Sequence, residues 1–200
     1  MRKCLFTGAL LLLTATPLHA SLIDTFNSEN GGNGQLNYNH FTNWTVANAS
    51  SNGSVDLIGN GFFDFYPGNG LYVDLGGSTN GPGGLLTTKQ VFGAGTYQLS
   101  FDLAGSARGP NENVDVNFGP FSHNYFLPSS QGYTLFSQTV TLTTPSQLSF
   151  QNVNSGNIGA ILDNVSVTNV VPEPSSLGLL AMGFLAICGF GVWRRGACTA

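Results

Sequence analysis

The chain has 200 residues, of which 8% are charged, with 27 glycines, three cysteines and a formal net charge of −4. So weakly charged and acidic a chain excludes nucleic acid as a partner, because phosphate binding needs clustered Lys and Arg. Cys4, Cys188 and Cys198 all fall near the ends, so the body between them has neither disulfide nor thiol chemistry and must be held by its core.

Arg2 and Lys3 precede an apolar run from Leu5 to Leu13, Pro17 breaks it, and Leu18-His19-Ala20 closes on a small residue. This order reads as a secretory signal peptide over residues 1–20, removed by signal peptidase after Ala20. Cys4 lies before the apolar run, so it is not a lipoprotein cysteine. Residues 21–170 then suit a single domain. Nine acidic residues against two basic ones, Lys89 and Arg108, leave that domain at −7.

Its pattern is that of short strands, with period-two alternation and no long window of 3.6 spacing. Leu22 to Phe26 opens it, and Asn30 to Gly34 is a Gly/Asn loop. Phe41 to Val46 carries Trp44, and Asn48 to Gly53 turns the chain. Val55 to Ile58 is followed by the turn Gly59-Asn60-Gly61. The densest aromatic patch, Phe62-Phe63-Asp64-Phe65-Tyr66, comes next, and Pro67 to Gly70 leads into Leu71 to Leu75. Gly76 to Gly84 is a loop, and Leu85 to Phe92 another strand. The clearest strand points Tyr97, Leu99, Phe101 and Leu103 one way and Gln98, Ser100 and Asp102 the other. Gly105 to Asn113 is a loop with Arg108, and Val114, Val116 and Phe118 face the core. Pro120 to Gln131 reads as a long connection. Phe136 to Leu142, Leu148 to Phe150 and Ile161 to Thr168 complete about ten strands. The fold class is all-β, an antiparallel β-sandwich of jelly-roll type.

The tail, residues 171–200, has three parts: Pro172-Glu173-Pro174, an uncharged apolar run from Leu177 to Trp193, and the basic pair Arg194-Arg195. As a helix the run spans roughly 25 Å, the lower limit for crossing a bilayer. The arginines stay cytoplasmic by the positive-inside rule, which places the domain on the far side of the membrane.

This tail resembles the PEP-CTERM sorting signal of Gram-negative bacteria. The resemblance implies a partner, the exosortase, a membrane-embedded cysteine transpeptidase that acts near the triplet. It also implies export across the inner membrane, transient anchoring by the apolar helix, and a destination at the cell surface or in the extracellular matrix of a biofilm. The same tail is also described as an ice-binding protein C-terminal domain, but Thr139, Thr141, Thr143 and Thr144 make only one short stripe, and no repeat supports an ice-binding array.

A second resemblance rests on four segments in order: Gly53-Ser-Val-Asp-Leu-Ile-Gly59, Gly70-Leu-Tyr-Val-Asp-Leu-Gly76, Gly95 to Gly105 and Ile161-Leu-Asp-Asn-Val-Ser-Val167. Together they look like the galactose-binding-like jelly rolls of plant cell-wall proteins and of bacterial exported domains with interchangeable anchors. That implies a carbohydrate-contacting surface.

Trp44, Tyr66, Tyr72 and Tyr125 are the candidate sugar-stacking residues, with Trp44 and Tyr66 expected to be the exposed ones because polar or turn residues flank them; core packing is the alternative for each. Asp163 shares parity with Ile161, Val165 and Val167 and is therefore expected on the core side, where a lone carboxylate is costly. A structural Ca²⁺ held by Asp24, Glu29 and Asp163 is one solution, and a cap of backbone N–H groups is the other. No other cofactor is expected. His40 and His123 have no zinc-ligand spacing, no G-x-S-x-G elbow is present, and no carboxylate pair stands out, so no residue is assigned a catalytic role. The sequence thus points to an exosortase-sorted, exopolysaccharide-interacting protein without catalysis. A hydrolase on a jelly-roll scaffold and a purely structural matrix protein are the alternatives.

Overall fold

The computed structural model describes residues 21–47 and 53–170. The signal peptide, the Pro-Glu-Pro triplet, the apolar run 177–193 and the basic pair lie outside them. Among the described residues no helix is long and apolar enough to cross a membrane.

The described residues form eleven strands: β1 (Leu22–Asp24), β2 (Trp44–Ala47), β3 (Asp56–Gly59), β4 (Leu71–Asp74), β5 (Leu85–Thr88), β6 (Gly95–Ala104), β7 (Glu112–Phe118), β8 (Phe121–Leu127), β9 (Thr134–Leu142), β10 (Leu148–Asn152) and β11 (Ile161–Asn169), with one 3-10 turn at Glu29–Gly32. One sheet runs β3-β4-β11-β6-β9, with β1 also on β11, and the other β2-β5-β10-β7-β8. Every pairing is antiparallel. Taken from β4 onward, the orders 4-11-6-9 and 5-10-7-8 are the interleaved connectivity of a jelly roll, with β1, β2 and β3 added.

The alternation in β6 is as the sequence implies. Tyr97, Leu99, Phe101 and Leu103 are buried in the central core with Val114, Val116, Phe118, Leu148 and Phe150. Edge-to-face rings tie the two sheets together, with Phe101 to Phe150 centroids at 5.1 Å and Tyr97 to Phe118 at 5.9 Å.

Two expectations are corrected. Residues 121–127, read as a connection, form β8, which pairs with β7 from Glu112↔Leu127 to Phe118↔Phe121. Asp163 does not share a face with Val165 and Val167, because the β11 register shifts between Asp163 and Ser166 and Asn164 adopts φ 49°. This bulge reverses the parity. Leu162, Val165 and Val167 enter the central core, while Ile161 joins a second apolar cluster with Ile58, Tyr72 and Ala104.

Phe65, Tyr66 and Tyr133 pack on that second cluster. Residues 60–70, between β3 and β4, thus form a flap over the outer face of the six-stranded sheet. Its anchor is Tyr66, whose hydroxyl donates to the carbonyls of Gly105 (2.7 Å) and Gln131 (3.0 Å).

Candidate functional site

The sequence-level candidates do not converge. Trp44 and Tyr72 are fully buried, so neither offers a face to a sugar. Trp44 stands between Phe26 (6.1 Å) and Phe150 (5.9 Å). The polar residues around it mark its strand's outward positions, not its own exposure. Tyr72 lies under the flap, donating to Asp64 Oδ1 and accepting from the Tyr66 N–H, each at 2.9 Å. Tyr66 is half-buried and spends its hydroxyl on the flap anchor. Tyr125 is half-buried on β8, with its ring 4.5 Å from Phe136 and 4.4 Å from His123.

The three carboxylates proposed for Ca²⁺ do not form a ligand set. Among the described residues no group of three or more His, Cys, Asp or Glu is placed to share a metal. Asp24 accepts from the Phe26 N–H (2.8 Å), Asn43 Nδ2 (3.0 Å) and Trp44 Nε1 (2.9 Å). Glu29 accepts from the Thr42 N–H at 2.8 Å and from the Tyr38 hydroxyl at 3.4 Å. Both therefore brace the segment between β1 and β2.

Asp163 accepts from the Asn164 N–H at 2.7 Å and is paired in register with Asp102. Burial pushes its carboxyl up to about 7, against the Asn164 N–H and with help from Asp102 and Asp24. A raised carboxyl contributes stability that is complete below about pH 4 and lost as pH rises through 7. Asp163→Asn is therefore expected to raise stability by about 2 kcal/mol at pH 8 and to change little at pH 4. Thermal melts at the two pH values check this, and an equal effect at both would contradict it.

A different set of residues does converge, where β3, β4 and β11 lie side by side. Asp56 and Asp74 are direct cross-strand partners, and Asp74 is also the partner of Ile161. Like charges directly opposed, with Cβ atoms about 5 Å apart, are unfavourable unless neighbours compensate. Here they do. Asp56 accepts from the Asn37 N–H (2.6 Å) and the Ser78 hydroxyl (2.7 Å). Asp74 accepts from the Gly76 N–H (2.9 Å) and forms an ion pair with Arg108 Nη2. Gly76 makes this possible: its backbone touches that of Ile158 and Gly159, and a Cβ there would come within 2.6 Å of both.

Burial nevertheless raises both acids. Asp74 is pushed up to about 7 against the pull of Arg108 and the Gly76 N–H. Asp56 is raised by burial against the Asn37 N–H, the Ser78 hydroxyl and Arg108.

Arg108 lies with its guanidinium carbon 4.3 Å from the centre of the Phe65 ring, a cation–π contact. Its Nε–H is buried without a protein acceptor. These groups line a cavity of about 200 Å³ with Leu36, Ile58, Phe63 and Asn157. Phe63 is 53% exposed and meets Phe62 edge-on at 4.9 Å. Phe63 holds a φ of 45°, a left-handed conformation that is strained for a bulky side chain and recurs at functional sites. The site is thus a charged floor beneath an apolar, partly aromatic rim. Its signal in the sequence is the repeated Val-Asp-Leu at 55–57 and 73–75.

The chain is similar in fold to the K1 and K3 cleaved adhesin domains of Lys-gingipain from Porphyromonas gingivalis W83. The K1 domain matches at TM-score 0.55 and 13% identity, over 76% of this chain and 99% of that one, and the K3 domain at 0.53 and 16%, over 74% and 98%. It is also similar to the CBM22-1 xylan-binding domain of Xyn10C from Paenibacillus barcinonensis, at TM-score 0.50 and 9% identity, over 80% of this chain and all of the other. No curated protein matches. Residues 170–195 match the PEP-CTERM protein-sorting motif. The chain therefore carries an exosortase sorting signal, which implies export toward the cell surface, behind an all-β sandwich with the fold of adhesin and carbohydrate-binding domains.

Proposed function

We propose that this is a non-catalytic exported domain that binds exopolysaccharide through the pocket of Asp56, Asp74, Arg108, Phe63 and Phe65. The observation that carries the reading is the pairing of an exposed aromatic rim with a fixed polar floor. An aromatic face stacks on the apolar face of a pyranose ring, and carboxylates and a guanidinium bond its hydroxyls. The cavity is smaller than the ~300 Å³ at which drug-sized pockets begin, so it takes one ring of a polymer. Two carboxylates against one guanidinium disfavour uronic acids and select neutral sugars.

The protein is exported from a Gram-negative cell, loses residues 1–20 to signal peptidase, is held briefly by its apolar tail, and reaches the surface or matrix after exosortase processing. A hydrolase is less consistent with the site. Asp56 and Asp74 are direct cross-strand partners on one floor, not facing each other across a cleft. Glycoside hydrolysis needs two carboxyls that flank the scissile bond.

Calorimetric titration of the purified domain with neutral oligosaccharides of the host's exopolysaccharide tests the proposal. Phe63→Ala is expected to weaken binding at least tenfold while leaving the melting temperature within a degree or two. Equal affinity for Phe63→Ala, or release of reducing ends on incubation, would count against it.

A further inference from the structure

The two ends of the sandwich differ, and the sorting motif leaves from one of them. Asn169 at the end of β11 pairs with Tyr97 near the start of β6, and the Val170 N–H donates to the Thr96 carbonyl at 2.8 Å. The same end holds the connections 89–94, 119–120 and 143–147, two of them joined by the Phe92–Ser146 bridge. Those connections contain one ionisable residue, Lys89, and no acid. Ala94, Thr143 and Thr144 are exposed there, as are the larger Val91 (54%) and Val170 (44%). The pocket with Asp56, Asp74 and Arg108 lies at the other end, beside Ile161, roughly 26 Å away along β11.

The sorting triplet begins at Pro172, two residues beyond Val170, whose N–H makes the last backbone hydrogen bond among the described residues. Fully extended, that gap is at most about 7 Å. β11 cannot fray to lengthen it cheaply. It is an interior strand, flanked by β6 on one side and by β4 and β1 on the other, and Val165 and Val167 are fully buried. An enzyme that grips the chain around the triplet must therefore touch the folded domain.

We propose that the acid-free end formed by residues 89–94, 143–147 and Val170 is a docking face for the sorting enzyme, read together with the triplet. The inference rests on the sorting motif and not on the sugar-binding reading. The absence of acids on this face, in a domain of charge −7, lets a membrane-seated partner approach without burying unpaired carboxylates.

The test follows conversion of the full-length precursor to its processed form in host membranes containing the enzyme. Val91→Glu with Ala94→Glu is expected to slow processing at least fivefold, and so is a six-residue Gly/Ser insertion between Val170 and Val171. Ser130→Glu, at the opposite end, should process at the normal rate, and thermal melts confirm that each variant is folded. Normal or faster processing of the insertion variant would overturn the proposal, showing that the domain merely obstructs the enzyme. Slow processing of the charged variant in membranes but normal processing in detergent, with lost binding to protein-free phospholipid vesicles, would overturn it in favour of a membrane contact.

Discussion

Replacing Trp44 with alanine is expected to lower the stability of the domain by about 4 kcal/mol, the usual range for removing a buried aromatic. The ring has no exposed surface, fills the space between Phe26 and Phe150, and donates from Nε1 to Asp24 Oδ2. Its removal leaves a cavity and takes one of three donors from a buried carboxylate. Trp44→Phe keeps most of the packing and isolates the hydrogen bond, for an expected loss of about 1–2 kcal/mol. Urea titrations of the processed domain measure both. In that form Trp44 is the sole tryptophan, because the other is Trp193 in the tail. A Trp44→Ala domain of normal stability with weakened sugar affinity would reinstate the residue as a binding aromatic and contradict the core assignment.

The second large effect is expected at Arg108. Arg108→Ala should cost about 3 kcal/mol at pH 8, since removing one partner of a buried pair leaves the other uncompensated. Here it leaves two opposed carboxylates, Asp56 and Asp74. The loss should shrink on acidification, and the sign follows from Asp74. Its carboxyl titrates at about 7 in the fold and near 3.9 in the unfolded chain. Its stabilising contribution is complete below about pH 4 and is lost as pH rises through 7. Without Arg108 the folded value rises further, so the variant is penalised most above pH 7 and least near pH 4. Asp74→Asn in the Arg108→Ala background should recover most of the stability at pH 8. Denaturation of the single and double variants at pH 4 and pH 8 forms the cycle that checks this. A pH-independent loss unaffected by Asp74→Asn would mean that Arg108 acts through its contact with Phe65 alone.

The sandwich was legible in the sequence because its longest strands alternate cleanly. Tyr97, Leu99, Phe101 and Leu103 face one core and their neighbours do not. β8 was hidden because it follows Pro120 and alternates Phe121, His123, Tyr125 and Leu127 with Ser122, Asn124 and Phe126, so neither face is consistently apolar on a sheet edge. The bulge at Asn164 was equally invisible: a single left-handed residue reverses the face of everything before it, and Asp163 moves with it. Trp44 misled for a related reason, as polar neighbours in a strand point away from the residue they flank.

The pocket was half visible. Asp56 and Asp74 sit in identical Val-Asp-Leu triplets, but only the pairing of β3 with β4 makes them neighbours. Arg108 arrives from a glycine-rich connection between the two sheets, a placement set by topology that no local pattern announces.

The central claim, that ligand enters at Asp56, Asp74, Arg108 and Phe63, is tested most directly by following backbone amide shifts of the processed domain as neutral exopolysaccharide fragments are added. The account predicts saturable shifts at Asn37, Gly61, Phe63, Gly76, Ser78 and Arg108. Shifts confined to the outer face of the five-stranded sheet, around Thr87, Ser149 and Asn117, would contradict it.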